Sequence, residues 1–251
     1  MASVDEQHTG SPFPDLHGPG IRLRLWDAES AADVATWRRG LTDPEFRRWN
    51  TPLRFVEDLA DARESLRAKA LGAAEGSTAS YCVTDAASGA ALGHIGVNAI
   101  NRVLSFARVG YWVLPEARGQ GVATRALAVA SHWALTELGL HRLELDHAVG
   151  HEASCRIAER CGFRYEGTLR GAMFEAGRHD AFRDMHLHGR LATDPEPALT
   201  PATATATATA PEPEPAAAPA PAPAPETAWN GESGASGASG AWGAADGSDV
   251  S

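Results

Sequence analysis

Residues 110–138, GYWVLPEARGQGVATRALAVASHWALTEL, decide the fold. The first part closes an alternating run, SFARVGYWVL (105–114), which reads as a strand that Pro115 ends. The last part places Val122, Ala126, Val129 and Trp133 on one helical face, and Gly139 terminates that helix. Between strand and helix lies Arg118-Gly119-Gln120-Gly121-Val122-Ala123. Glycines without Cβ let backbone approach a ligand closely and take unusual φ values. The following helix aims its free N–H groups and positive end at the same loop. Together these form a cradle for a pyrophosphate, to which Arg118 adds a charge with bidentate geometry. A tight strand-to-helix turn without a ligand is the other reading of the loop. The GxGxxG fingerprint and the GK[ST] ending of a P-loop are both absent from it.

Outward from this stretch the periodicities alternate. IRLRLW (21–26) reads as a strand. Ser30 with Asp33 opens a helix that Gly40 is expected to close, and Asp43-Pro44 starts a second. Leu59, Ala62, Leu66 and Ala70 predict the apolar stripe of a third. YCVTD and ALGHIGVNAI are strands joined by a turn at Ser88-Gly89. After the central helix, HRLELDHAV is a strand and ASCRIAERCGF a helix with Ile157 and Cys161 inward and Gly162 as its left-handed cap. Strands at Phe163–Glu166 and Asp180–Gly189 complete the series. The pattern predicts an α/β chain of the α+β type, with a mixed, twisted sheet carrying helices on its faces.

Composition narrows the function. From Asp194 to Ser251 there are eight acids and no Lys or Arg, leaving 22 basic against 24 acidic side chains before it. The body is nearly neutral with no basic stripe, so bulk nucleic-acid binding is not expected. No apolar run reaches the 18 or so residues of a membrane helix, and the first 20 residues lack the pattern of a secretory signal. Cys82, Cys155 and Cys161 form no CxxC pair and read as small apolar residues in a reducing, cytoplasmic compartment. The expected organisation is a loose stretch at 1–20, one domain at 21–192, and a Pro/Ala then Gly/Ser-rich acidic tail at 193–251.

Three stretches carry a family resemblance: GYWVLPEARGQGVATRAL (110–127), ASCRIAERCGFRYEGTLR (153–170) and DAFRDMHLHGRL (180–191). On these the chain resembles the GNAT superfamily of acyl-CoA N-acyltransferases, and within it the RimJ/RimL-like branch of ribosomal-protein N-acetyltransferases. The resemblance spans residues 21–192 and implies a mostly antiparallel sheet, acetyl-CoA as co-substrate, and a primary amine as acceptor. It implies that Val113 offers its backbone to the pantetheine arm and to the developing oxyanion, and that Arg118, Gly119, Gln120, Gly121, Val122 and Ala123 hold the pyrophosphate. The two strands that end at Val113 and begin at His141 would splay there to admit the thioester. Of Tyr111 and Trp112, on opposite sheet faces, at least one is core.

Ser154 falls on the serine of the family's N-x-x-S pattern, where a hydroxyl assists departure of the CoA thiolate; a helix cap is the alternative. His151 stands where the family has Asn, on the pantetheine side. The branch's frequent acid falls on Met173, which is no base, so Glu144, Asp146 and Glu175 are the candidates. Ten histidines are present, with His141, His147 and His151 near one strand end and His179, His186 and His188 near the C-terminal strands. None has HExxH spacing and no cysteine cluster joins them, so no metal is expected. The acceptor, a protein N-terminus or a small amine such as an antibiotic or polyamine, would be set by segments 43–70 and 168–181. A non-catalytic CoA-binding module is the rival class, and a monomer or homodimer is compatible with either.

Overall fold

The computed structural model describes residues 13–198. Its strands are β1 (Leu16–Gly18), β2 (Ile21–Leu25), β3 (Ala79–Asp85), β4 (Ala91–Asn101), β5 (Phe106–Val113), β6 (Arg142–Ala148), β7 (Arg164–Phe174) and β8 (Phe182–Leu191). The helices are α1 (Ala31–Thr42), α2 (Pro44–Trp49), α3 (Leu59–Ala74), α4 (Val122–Thr136) and α5 (Glu152–Arg160). The strands make one sheet in the order β1-β2-β3-β4-β5-β6-β8-β7. Every neighbouring pair is antiparallel except β5 and β6, whose parallel crossover runs through α4. The sheet is therefore mixed and mostly antiparallel.

Strand alternation sends alternate residues to two cores. Ala107 and Val109 of β5 join Ile21, Leu127, Trp133 and Leu143 in the layer beneath α4. Trp112 of the same strand joins Trp26, Val34, Trp37 and Leu66 in the layer beneath α1 and α3. The helix starts follow their caps. The Ser30 side chain accepts from Asp33 N–H, Asp43 accepts from Phe46 N–H, and Asp58 forms a capping box with Asp61. Among the described residues no helix is long and apolar enough to cross a membrane.

Four local expectations are corrected. The ordered fold begins before Ile21: β1 pairs with β2, and Phe13 and Leu16 are buried, Phe13 edge-on to Trp133 at 5.6 Å. Gly40 does not end α1 but lies inside it, because the Trp112 ring covers it so closely that a Cβ would come within 2.4 Å. On α3 the buried residues are Ala62, Leu66 and Ala73, while Leu59 and Ala70 are exposed, so the stripe winds away from the one expected. At the other end the fold extends past residue 192. Buried Arg190 reaches Ser131 Oγ at 3.2 Å and Glu196 at 2.9 Å, and Asp194 pairs with Arg164 at 3.0 Å. The greater part of the acidic tail, from residue 199 on, lies outside the described residues.

Candidate active site

Parallel pairing of β5 with β6 starts at Phe106↔Arg142 and ends at Val109↔Leu145. β5 continues to Val113 and β6 to Ala148, so the two strands part over their last residues. Leu114 N–H donates to Leu92 O at 2.9 Å, which fixes the even-numbered residues of β5 as those bonding β4. The N–H and C=O groups of Tyr111 and Val113 therefore face the opened edge toward β6. This is a slot lined by backbone donors and acceptors.

The slot leads to the glycine loop. Gly119 and Gly121 take φ of +74° and +70°, the left-handed region that glycine enters without a Cβ clash. Gly121 is the N-cap of α4 and supplies no side chain, so the helix's first N–H groups carry no side-chain cap. Arg118 behaves differently from expectation. Its guanidinium pairs with Asp43 and donates through Nε to Val113 O at 3.1 Å, so it braces the loop against α2. The cation beside the helix start is Arg125, which the sequence reading missed. It donates to Gln120 O at 2.8 Å, and its buried Nε has no hydrogen-bond partner among the described residues. Its spacing one helical turn after Gly121 was the available signal. An uncapped helix start, two left-handed glycines and an arginine with an unpartnered Nε fit an anionic phosphate group.

Ser154 sits at the third position of α5, buried, and the N-cap is His151. The cap alternative for Ser154 therefore falls away. Its Oγ lies 3.0 Å from the phenol oxygen of Tyr111. Burial pushes the Tyr111 phenol well above its ordinary value, so it stays protonated. Trp112 is buried in one core, while Tyr111, on the face of Val109, packs against the other core and turns its hydroxyl to Ser154. His151 is stacked on Trp49 at 4.6 Å, and burial holds it below the usual histidine range.

The three carboxylates stand apart. Glu144 is held by Arg142 at 3.0 Å and Arg108 at 3.5 Å. Asp146, two residues on along the same strand face, lies on the part of β6 that β5 no longer pairs. Glu175 belongs to the turn between β7 and β8, and its backbone is tied elsewhere: Thr51 Oγ1 donates to Glu175 O at 2.8 Å. That turn clasps the segment after α2, with Gly177 N–H donating to Thr51 at 3.0 Å and His179 Nε2 lying 2.9 Å from Pro52 O. The two segments expected to set the acceptor therefore meet as one wall.

The acetyltransferase (GNAT) domain family matches residues 21–164. The ribosomal-protein-serine acetyltransferase of Escherichia coli (strain K12) is 32% identical over 100 residues, which are 40% of this chain and 54% of that protein. The spermidine N(1)-acetyltransferase of Vibrio cholerae serotype O1 is 31% identical over 93 residues, 37% of this chain and 52% of that one. The chain spans about half the length of the curated relatives it matches. In fold it is similar to Mycobacterium smegmatis RimJ in complex with CoA-disulfide, with a TM-score of 0.61 at 24% identity over 71% of this chain and 86% of that one.

Proposed function

The chain belongs to the acetyltransferase (GNAT) domain family, and from that premise we propose that it moves acetyl from acetyl-CoA to a primary amine, foremost a protein N-terminal α-amine. The observation that carries this reading is the slot: past Val109↔Leu145 β5 runs on paired with β4 but not with β6, and leads to a left-handed glycine loop and an uncapped helix start. Acetyl-CoA supplies the thioester that the amine attacks. The first N–H groups of α4 and Arg125 hold its pyrophosphate, and the outward backbone groups of Tyr111 and Val113 align its pantetheine arm. Val113 N–H stabilises charge that develops on the thioester oxygen.

Ser154 donates to the departing sulfur, and Tyr111, protonated and 3.0 Å away, donates to Ser154 in turn. Such a pair strengthens as negative charge grows on sulfur, so it acts in the transition state more than in binding. An α-amine with a pKa of about 8 needs far less help in losing its proton than a lysine amine at about 10.4. We assign that step, through a water, to a carboxylate of β6, Glu144 or Asp146, of which Asp146 lies where β5 no longer pairs. The wall formed by Thr51 and the β7–β8 turn selects the acceptor. A polyamine acceptor is the second reading, carried by the likeness to a spermidine acetyltransferase.

The test is release of free CoA thiol from acetyl-CoA against a panel of N-terminal peptides and polyamines. Peptide-dependent release, with the acetyl group on the α-amine by mass spectrometry, is the expected result. Release with polyamines alone supports the second reading. Tight CoA binding without turnover on any amine would make the chain a binding module and overturn the proposal.

A further inference from the structure

The C-terminal half of the sheet assembles four ligand-type side chains that lie far apart in sequence. β6 and β8 pair with Leu145 opposite His188 and His147 opposite His186, so all three imidazoles stand on one sheet face. α5 packs over that face and lowers Cys155 between them. Cys155 Sγ is 3.4 Å from His147 Nε2 and 3.3 Å from His186 Nδ1, and His147 Nε2 is 3.3 Å from His188 Nε2. One ligand atom from each of the four residues lies within 4.8 Å of the others. The sequence reading had divided these histidines between two groups and left the cysteine out; the antiparallel register and the α5 turn unite them.

Three features of the cluster bear on what it holds. Three of the six ligand-to-ligand separations already match a tetrahedral site, in which metal–nitrogen bonds of about 2.0–2.1 Å and metal–sulfur bonds of about 2.3 Å put neighbouring ligand atoms roughly 3.3–3.6 Å apart. At His147 the outer shell is also in place, whereas the buried Nδ1 of His188 has no hydrogen-bond partner among the described residues. His147 Nδ1 lies 3.0 Å from Ala148 O, so its N–H is spent on a carbonyl and Nε2 turns its lone pair inward. The Tyr165 ring stands edge-on to His186 at 5.0 Å and to His188 at 5.6 Å, walling the cluster from one side. Finally, His147 and His188 are buried while Cys155 and His186 are half-buried, which leaves an entry side for an ion.

We propose that His147, Cys155, His186 and His188 bind one zinc-class divalent cation in a closed, four-protein-ligand site. Three imidazoles and a thiolate select a borderline-soft ion over magnesium or calcium, which prefer oxygen. With all four positions taken by protein, the ion is structural and does not activate water. It joins α5 to β6 and β8, and Ser154 immediately precedes the cysteine ligand. The ion therefore fixes the helix that presents Ser154 to Tyr111.

The test uses the full chain without a polyhistidine tag, stripped by chelator. Zn2+ titrated in competition with a chromophoric chelator is expected to bind one ion per chain, protect Cys155 from alkylation and raise the Tm, with Mg2+ doing none of these. Co2+ in place of Zn2+ is expected to give a thiolate-to-metal charge-transfer band and the intense visible bands of a four-coordinate site. Cys155→Ala abolishes the charge-transfer band, and His186→Gln weakens binding at least tenfold. Both positions are half-buried, so the metal-free variants keep the wild-type fold, checked by circular dichroism. Absence of stoichiometric binding by the wild-type chain, a cobalt spectrum without the thiolate band, or affinity unchanged in both variants would overturn the assignment and leave a hydrogen-bonded His/Cys cluster. None of these readouts depends on acetyl transfer.

Discussion

The glycine loop at 118–123 and the His/Cys cluster of α5, β6 and β8 are both constellations of polar groups, yet they are encoded in opposite ways. In the loop, every group that matters lies within one strand-turn-helix segment, and the left-handed glycines and uncapped helix start are consequences of local chain chemistry. In the cluster, residues 147, 155, 186 and 188 meet only because β8 inserts between β6 and β7 and because one register sets His147 against His186. A shift of one residue in that register would turn the β8 histidines to the opposite face. Local sites survive errors of topology; assembled sites depend on each strand being in place.

That contrast can be broken or sharpened by experiment. The largest effect is expected at the loop itself. Gly121→Glu places a negative side chain where the helix start is bare and forces a non-glycine residue to φ +70°, so the acetyl-CoA Kd should rise at least about a hundredfold, roughly 2.7 kcal/mol. Isothermal titration measures it, and Gly121→Asn, which tolerates left-handed φ, should retain most of the binding. An unchanged Kd in folded Gly121→Glu would remove the loop from the cofactor site.

The paired hydroxyls come next, because they link a loop-proximal strand to α5. Ser154→Ala and Tyr111→Phe should each lower kcat about ten- to a hundredfold with KM little changed. The double variant should cost no more than the worse single one, since the two groups act as a unit. Additive losses in steady-state kinetics would separate them.

Packing between distant elements gives the next effect. Gly40→Ala drives a methyl against the Trp112 ring and should lower stability by about 1–3 kcal/mol in urea unfolding, whereas a helix-closing glycine would show a small change.

Acid should act through another buried histidine. His94 lies 3.1 Å from Trp26 Nε1 and 3.0 Å from Tyr81 O, and burial pushes it down to about 3. Between pH 6.5 and that value the unfolded chain takes up a proton that the folded chain refuses. The stability His94 contributes is thus whole above pH 6.5 and falls by up to about 1.4 kcal/mol per unit below it. His94→Gln should flatten this part of the stability profile.

Smallest is the choice of terminus. A chain ending at residue 193 loses Glu196 from buried Arg190 and should be about 1 kcal/mol less stable than one ending at 198. Equal melting curves would show that Ser131 alone satisfies the guanidinium.

Much of the fold was legible because its signals are short-range. The alternation of SFARVGYWVL, the caps at Ser30 and Asp43, and the stop at Gly139 each act within a few residues. The misread elements failed for a tertiary reason. Gly40 looks like a helix stop until Trp112, 72 positions later, is seen to need its missing side chain. Residues 13–18 look loose because a three-residue strand has no periodicity of its own and is held by β2. At the site, the sequence placed Ser154 and the glycines but not Arg125, Tyr111 or the occupation of Arg118 by Asp43, which are facts of side-chain direction.

By itself, then, the sequence determined the series of strands and helices from β2 on and the left-handed loop before α4, because φ preferences, capping and hydrophobic period are properties of neighbouring residues. Tertiary structure alone decided where the pairing of β5 with β6 stops, which arginine faces the helix start, and that three histidines and a cysteine share one face. Those depend on strand register and on burial, and burial is defined only when the whole chain is folded.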